Sequence, residues 1–220
     1  MRARTQDLLF AACGVVSVVV MLAGVGIGAA GNRQFVTISS TSAQISKALA
    51  TPADTAVWVG AYLEMLSFGL FIAFAFWACG KLGGGVLGSV AGAAATGYAT
   101  LSVASLCLMD AIAYRSGHGI PLQLGTALVT FNEALFVGTW FLSAFFLLAA
   151  GALALTSGRR LLGWSAIATA ALTLVLTATS LDNLGQVANL LWLSWVVGAS
   201  IALARGKTAP TRAFPVAQHA

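Results

Sequence analysis

The chain has few charged residues. They make up 8% of its 220 positions, against about a quarter in a typical soluble domain. Apolar residues make up 59%, and the mean hydropathy is +0.92. This composition excludes an ordinary soluble domain and indicates an integral membrane protein. The net charge of +5 includes no basic run longer than two residues, so we expect no nucleic-acid partner.

Cysteine and histidine are also scarce. Cys13, Cys79 and Cys107 lie far apart in apolar runs. They match no metal-binding or disulfide spacing, so we expect them to be small buried hydrophobic side chains. The two histidines, His118 and His219, fall in a loop and in the tail. Phosphate-binding loops, nucleophile elbows and zinc motifs are missing as well. We therefore expect no metal and no cofactor.

Six apolar stretches are long enough to cross the roughly 30 Å hydrocarbon core of a bilayer. They predict an all-α, polytopic membrane helix bundle that forms a single domain over residues 1–204. The third and fourth spans are long, so we expect them to tilt or to extend beyond the bilayer. The first is longer than the apolar region of a signal peptide, so we interpret it as a retained helix. The six spans lie at about 7–30, 55–79, 86–114, 126–156, 162–180 and 184–204.

Lysine and arginine predict how the bundle is oriented. If both termini are cytoplasmic, the outer side carries only Arg33, Lys47 and Arg115, and the other eight basic residues lie inside. This asymmetry follows the positive-inside rule and predicts a multi-pass protein of the cell membrane. The outer loop 31–54 has the spacing of a short amphipathic helix. Residues 205–220 are expected to be a disordered cytoplasmic tail.

Glycines recur every four residues in two of the spans. Gly24 and Gly28 do so in the first span, and Gly84, Gly88 and Gly92 do so at the start of the third. Small residues at this spacing let helices approach closely in lipid. Close packing within one bundle is one interpretation, and a homodimer formed through one of these faces is the other.

The acidic residues carry the strongest functional signal. Four of the six lie in or beside apolar spans, toward the predicted outer side. At 1.5 Å per residue, Glu64 lies roughly 14 Å deep and Glu133 roughly 10 Å deep. A carboxylate in hydrocarbon is costly and usually faces a partner or a water-filled cavity. The candidate binding residues are these four acids and two asparagines nearby: Glu64, Glu133, Asp110, Asp182, Asn132 and Asn189.

Together these side chains predict a polar cavity that opens outward and is closed toward the cytoplasm by Phe, Leu and Trp. Simpler structural roles are open for each acid. Asp182 has the position of a turn residue that caps the last helix, and Asp110 is near enough in sequence to pair with Arg115. Glu64 and Glu133 could each form a hydrogen bond between helices instead of binding a proton.

The second and fourth spans align with each other, which suggests an internal repeat. Each is followed by a basic turn, a Leu-Gly pair and a further acid, so spans 2–3 and 4–5 would form a parallel repeat with a site between the halves. Chance similarity is the alternative, because Ala, Leu, Gly and Phe are abundant. The aligned residues are Glu64, Leu66, Gly69, Ala75 and Phe76 with Glu133, Leu135, Gly138, Ala144 and Phe145.

The segment that starts at Asn132, NEALFVGTWFLSAFFLLAAGALALTSGRRLLGWSAIATAALTLV, has a long Phe- and Leu-rich span, a short basic turn and a Leu-Gly-Trp opening. In these features the chain resembles a large family of uncharacterised bacterial integral membrane proteins, a domain of unknown function. The family turn often includes a proline that residues 159–162 lack. The resemblance implies six helices in a bacterial inner membrane, and it implies no functional residues.

Three functions are compatible with these features. One is a small transporter-like protein that binds a solute or cation in an outward-facing acidic cavity, where Glu64 and Glu133 exchange protons. Another is a membrane-embedded enzyme that uses a buried carboxylic acid on a lipid or isoprenoid substrate. The third is a non-catalytic membrane subunit whose acids tie helices together. The expected partners are accordingly the lipid bilayer and a small solute, a proton or a lipid.

The predicted orientation can be tested with reporter fusions. Green fluorescent protein fused after Ala220 is expected to fluoresce, and alkaline phosphatase fused after Thr41 is expected to be active, because basic flanks are retained in the cytoplasm. The exchanged fusions, phosphatase after Ala220 and fluorescent protein after Thr41, should both be inactive. The reverse pattern would contradict the orientation.

Overall fold

The computed structural model describes residues 2–32, 36, 40–116, 118–178 and 182–205, with side chains from residue 4 onward and without those of 182–186. The described residues form seven helices and no strand. Six helices are long and apolar enough to cross a membrane, which confirms the predicted all-α, six-span architecture. The helices are α1 (Arg2–Ala30), α2 (Ser42–Ala50), α3 (Thr55–Lys81), α4 (Gly85–Arg115), α5 (Leu122–Thr156), α6 (Arg160–Ala178) and α7 (Asp182–Arg205).

The helix ends agree with the predicted spans to within a few residues. Helix α5 begins earlier than predicted, directly after Pro121, whose ring prevents the preceding chain from continuing a helix. Helix α2 is the short helix expected in the loop 31–54. Asp182, predicted to lie in a turn, is the first residue of α7. The tail 206–220 and the connection 179–181 lie outside the described residues.

The six long helices form a closed ring in chain order. Each one packs against the next, α7 returns to α1, and α3 also contacts α7 across the ring. Aromatic side chains fill the centre, where the Phe71 ring lies 5.0 Å from that of Trp192 and 5.4 Å from that of Phe146. The centre of the ring is therefore packed and forms no open channel. Its aromatic cluster comprises Phe68, Phe71, Phe74, Tyr98, Phe146, Trp192 and Trp195.

Three contacts bring four chain segments together at one end of the bundle, which we call the basic end. Lys81 pairs with Asp7, Ser157 donates a hydrogen bond to the carbonyl of Leu82, and Arg159 donates one to the carbonyl of Ala202. The opposite end carries α2, and we call it the loop end. The basic end holds the start of α1, the turns after α3 and α5, and the end of α7.

The turns after α3 and α5 have the same backbone geometry. Gly83 (φ 114°) and Gly158 (φ 77°) each end a helix in the left-handed region, which glycine adopts without steric cost. Both turns are Schellman motifs. Their hydrogen bonds run from Gly83 N to Gly80 O and from Gly84 N to Cys79 O, and from Gly158 N to Leu155 O and from Arg159 N to Ala154 O.

This similarity bears on the suggested internal repeat. The turns align Gly83 with Gly158, and in that register Glu64 would align with Thr139 instead of Glu133. The two glutamates and the two turns therefore do not share one gapless register. A repeat of α3–α4 and α5–α6 stays a prediction.

Helices α1 and α3 are in direct backbone contact near the loop end. A methyl group on Gly60 would lie 2.6 Å from the carbonyl oxygen of Gly24 and 2.8 Å from the nitrogen of Gly28. The predicted pair in α1 thus packs within the bundle. In α4, Gly92 faces the ring of Phe76, whereas Gly84 precedes the helix with φ 61°. A homodimer stays an untested prediction.

The outer surface of the ring is apolar, as expected of helices that face lipid. Large exposed side chains include Val19, Phe76 and Val175.

Cys79 is buried and Cys13 is half-buried, but Cys107 is exposed, so its predicted burial is wrong. A small, weakly polar thiol on a lipid-facing surface has no large desolvation cost.

Substitution of Gly60 tests the contact between α1 and α3. Gly60→Ala should lower the thermal midpoint of the detergent-solubilised protein, by the equivalent of roughly 1–3 kcal/mol, because the methyl group meets backbone on the facing helix. Gly69→Ala is the matched control in the same helix, since a methyl group there meets nothing within 4 Å. Equal midpoints for the two variants, measured by circular dichroism, would contradict this packing.

Candidate functional site

Helix α2 lies as a cover on the loop end of the bundle. A capping box starts it, in which Thr41 Oγ1 accepts from Gln44 N and Gln44 Oε1 accepts from Thr41 N. Such reciprocal capping stabilises the first turn of a short helix. The apolar face of α2 packs on the ends of α4 and α5 in a small separate core. The buried members of this core are Ile45, Leu49, Ile112 and Val129.

The chain segments beside α2 are held by a hydrogen-bonded clamp between the end of α1 and the start of α3. Asn32 Nδ2 donates to the carbonyl of Pro52, and Asp54 N donates to Asn32 Oδ1 at 3.0 Å. Asp54 Oδ1 in turn accepts from Val57 N at 3.1 Å and caps α3. The carboxylate therefore has a structural role, since it satisfies an N–H that the helix leaves without a partner.

A cavity of about 40 Å³ lies beneath α2, and Asp110 is the acid among its lining residues. A water molecule needs about 10–15 Å³ of such space, so the cavity has room for a few. An organic solute does not fit. The cavity is lined by Asn32, Val36, Ile45, Ala48, Leu49, Thr51, Ala53, Val57, Met109, Asp110, Ile112, Ala113 and Ser116.

Glu64 lies deeper in the bundle, on the face of α3 that packs against α1. Its side chain is 8% exposed, and among the described residues it is the only charged side chain in the buried class. Gly24 makes room for it, because a methyl group there would lie 2.9 Å from Glu64 Cγ. The close approach of the two helices therefore positions this carboxyl group in the bundle interior.

A second, smaller cavity of about 10 Å³ lies one turn beyond Glu64, between α1, α3 and α7. Ser67 Oγ donates to the carbonyl of Glu64 at 2.6 Å and Ser17 Oγ donates to that of Gly14 at 2.8 Å. Both hydroxyl oxygens can still accept a hydrogen bond. The indole N–H of Trp192 has no hydrogen-bond partner among the described residues. The volume is close to that needed for one water molecule, and most of the lining residues are apolar.

One face of α3 connects these features. Val57 lines the cavity beneath α2, Glu64 follows two turns later, Ser67 lines the small cavity, and Phe71 belongs to the aromatic cluster. Residues at intervals of three, four or seven share a face of a helix. Glu64 and Ser67 therefore lie on this face between the cavity beneath α2 and the aromatic cluster.

Of the predicted residues on α5, Asn132 lies at the α4–α5 interface. Ser105 Oγ donates to Asn132 Oδ1 at 2.8 Å and links the two helices. Glu133, the next residue, is half-buried. Glu64 lies on the α1–α3 side and Asn132 on the α4–α5 side, so the structure does not bring these two site residues into one contact.

Asp110 and Asn189 are half-buried, in α4 and α7 respectively. The side chain of Asp182 lies outside the described residues. Of the predicted residues with described side chains, Asp110 is the one that lines the cavity beneath α2. A single cavity shared by all six stays a prediction. The described part of the chain also contains no cluster of three or more His, Cys, Asp or Glu that could hold a metal ion.

The structure adds polar groups that sequence reasoning missed. Asp7 Oδ2 lies 2.6 Å from Lys81 Nζ, and Asp7 Oδ1 accepts from Trp77 Nε1 at 3.1 Å. These partners are far apart in the chain, so no local pattern indicates them. Ser67 could have been found, because it follows Glu64 by one helical turn.

Comparisons of the chain with protein-family models, with curated proteins and with solved structures find no match. The family resemblance suggested by the segment from Asn132 therefore stays a prediction. Six apolar spans show the class, that of a multi-pass membrane protein.

Proposed function

We propose that the protein is a small transporter-like membrane protein that takes up a proton on Glu64 from the side of the membrane that α2 covers. The observation that carries this proposal is the burial of Glu64 on a face of α3 on which Val57 and Ser67, before and after it, line two small cavities. An ionisable side chain inside a membrane bundle is costly, which makes a functional role the default hypothesis. A carboxyl group can take up a proton and release it again.

Cavity size favours a proton over the larger ligands. Volumes of about 40 and 10 Å³ beside Asp110 and Ser67 have room for water molecules and are too small for a larger solute. In this proposal, such waters bring the proton toward Glu64. A hard divalent cation requires about six oxygen ligands, and the described acids do not cluster. Glu133, which is half-buried on α5, is a second proton-binding candidate.

The geometry gives less support to the alternative of an enzyme that acts on a lipid or isoprenoid. Such an enzyme needs an acid in a lipid-sized pocket. A groove of about 950 Å³ between α1 and α7 does contain Asp7, but Lys81 and Trp77 both engage that carboxylate. An ion-paired carboxylate is a poor general acid. The third alternative, a non-catalytic subunit, predicts that Glu64 serves only to hold α3 against α1.

Proton movement through reconstituted protein tests the proposal. In liposomes that enclose a pH-sensitive dye, the wild type should accelerate potential-driven proton entry several-fold over protein-free liposomes. Glu64→Gln should abolish this acceleration, because a side-chain amide cannot take up and release a proton as a carboxyl group does. The amide has nearly the same shape, so the packing around position 64 should be kept. The measurement is the initial rate of dye response after addition of valinomycin to a potassium gradient.

Tyr62→Phe is the matched control, since it removes a polar group from the exposed face of the same helix. It should keep the wild-type rate. If Glu64→Gln and the wild type conduct equally, Glu64 is not the proton site. If the wild type does not exceed protein-free liposomes and Glu64→Gln only lowers thermal stability, the structural alternative is correct.

A further inference from the structure

A groove of about 620 Å³ runs along the surface between α6 and α7, starting at the basic end. From Ala202 to Leu191 it extends roughly 16 Å at 1.5 Å per residue. That is about half of a 30 Å hydrocarbon core, the depth of one lipid leaflet. The lining is Arg159, Arg160, Leu161, Leu162, Ser165, Thr169, Leu191, Ser194, Trp195, Gly198 and Ala202.

The floor of this groove is held by two hydrogen bonds between its walls. Trp195 Nε1 donates to the carbonyl of Leu162 at 3.1 Å, and Arg159 Nη1 donates to the carbonyl of Ala202 at 3.2 Å. Both bonds join α6 or the turn before it to α7. Because these bonds set the spacing of the two helices, the groove is preformed and a ligand would not have to open it.

Charge and polarity are separated along the groove. Arg159 and Arg160 lie at its end, the described lining residues include no acid, and the remainder is largely apolar. The guanidinium group of Arg160 is exposed, and Leu161 beside it is 87% exposed. Guanidinium groups bind phosphate oxygens in a bidentate geometry. An apolar channel of one-leaflet depth with arginines at its mouth matches one acyl chain and one phosphate.

We propose that this groove binds an anionic phospholipid of the surrounding membrane, with the headgroup phosphate on Arg159 and Arg160 and an acyl chain along α7 as far as Leu191. Basic pockets between membrane helices bind anionic headgroups in this way. The groove between α1 and α7 is a weaker candidate, because Asp7 lies with Arg4 and Arg205 in its lining. This inference is independent of proton binding at Glu64.

Native mass spectrometry of the purified full-length protein tests the headgroup contact. The wild type should retain phosphatidylglycerol in preference to phosphatidylcholine with the same acyl chains. Arg160→Gln should reduce that preference by about fivefold, the effect expected of one basic residue at an anionic lipid surface. Arg205→Gln removes one positive charge from the same end and should leave the preference nearly unchanged. Equal losses in both variants would show nonspecific surface attraction and overturn the assignment.

A second substitution tests the acyl-chain channel without changing charge. Gly198 lines the groove, and a methyl group there meets nothing within 4 Å. Gly198→Leu should therefore fold normally, fill the channel and remove the bound phosphatidylglycerol. Gly69→Leu, at an equally open position on α3, should retain it. Retention in Gly198→Leu, or displacement of the lipid by inorganic phosphate alone, would show that the site does not recognise the whole lipid.

Discussion

The backbone contact between α1 and α3 is the constraint on which the rest of the bundle depends. Hydrophobic attraction does not drive helices together in lipid, so their association relies on close packing. Gly24, Gly28 and Gly60 bring the two backbones into direct contact. The same approach encloses Glu64, because its side chain occupies the space that a larger residue at position 24 would fill. Packing and the candidate chemistry therefore rest on the same glycines.

The two halves of the bundle differ in polarity for a physical reason. Near the loop end, α2 covers a cavity that Asn32 and Asp110 line. In the middle, rings from four helices interlock with edge-to-face and tilted contacts, a geometry that aromatic quadrupoles favour. A proton that reaches Glu64 meets this dry barrier next. Transport across it would require the rings around Phe71 to move relative to each other.

At the basic end, contacts between distant chain segments hold the helix ends together. Two matching Schellman turns reverse the chain, and the Asp7–Lys81 pair joins α1 to the end of α3. Trp77 adds a charge-assisted hydrogen bond to Asp7, so the carboxylate is satisfied from two sides. At the same end, Arg159 bonds the carbonyl of Ala202 and joins the turn before α6 to α7.

The sequence alone determined the class, the six spans and the short helix α2, because hydropathy, proline and capping residues act locally. It also singled out Glu64, since an acid in a long apolar run stands out without any knowledge of its neighbours. It did not determine the rotation of each helix, because α3 is apolar on all sides and its hydropathy marks no preferred face. Only the tertiary structure decided that Glu64 faces Gly24 and that Asn132 bonds Ser105. It likewise decided that Asp7 pairs with Lys81. These contacts join residues far apart in the chain, and the packing of small and aromatic side chains determines which helix faces meet.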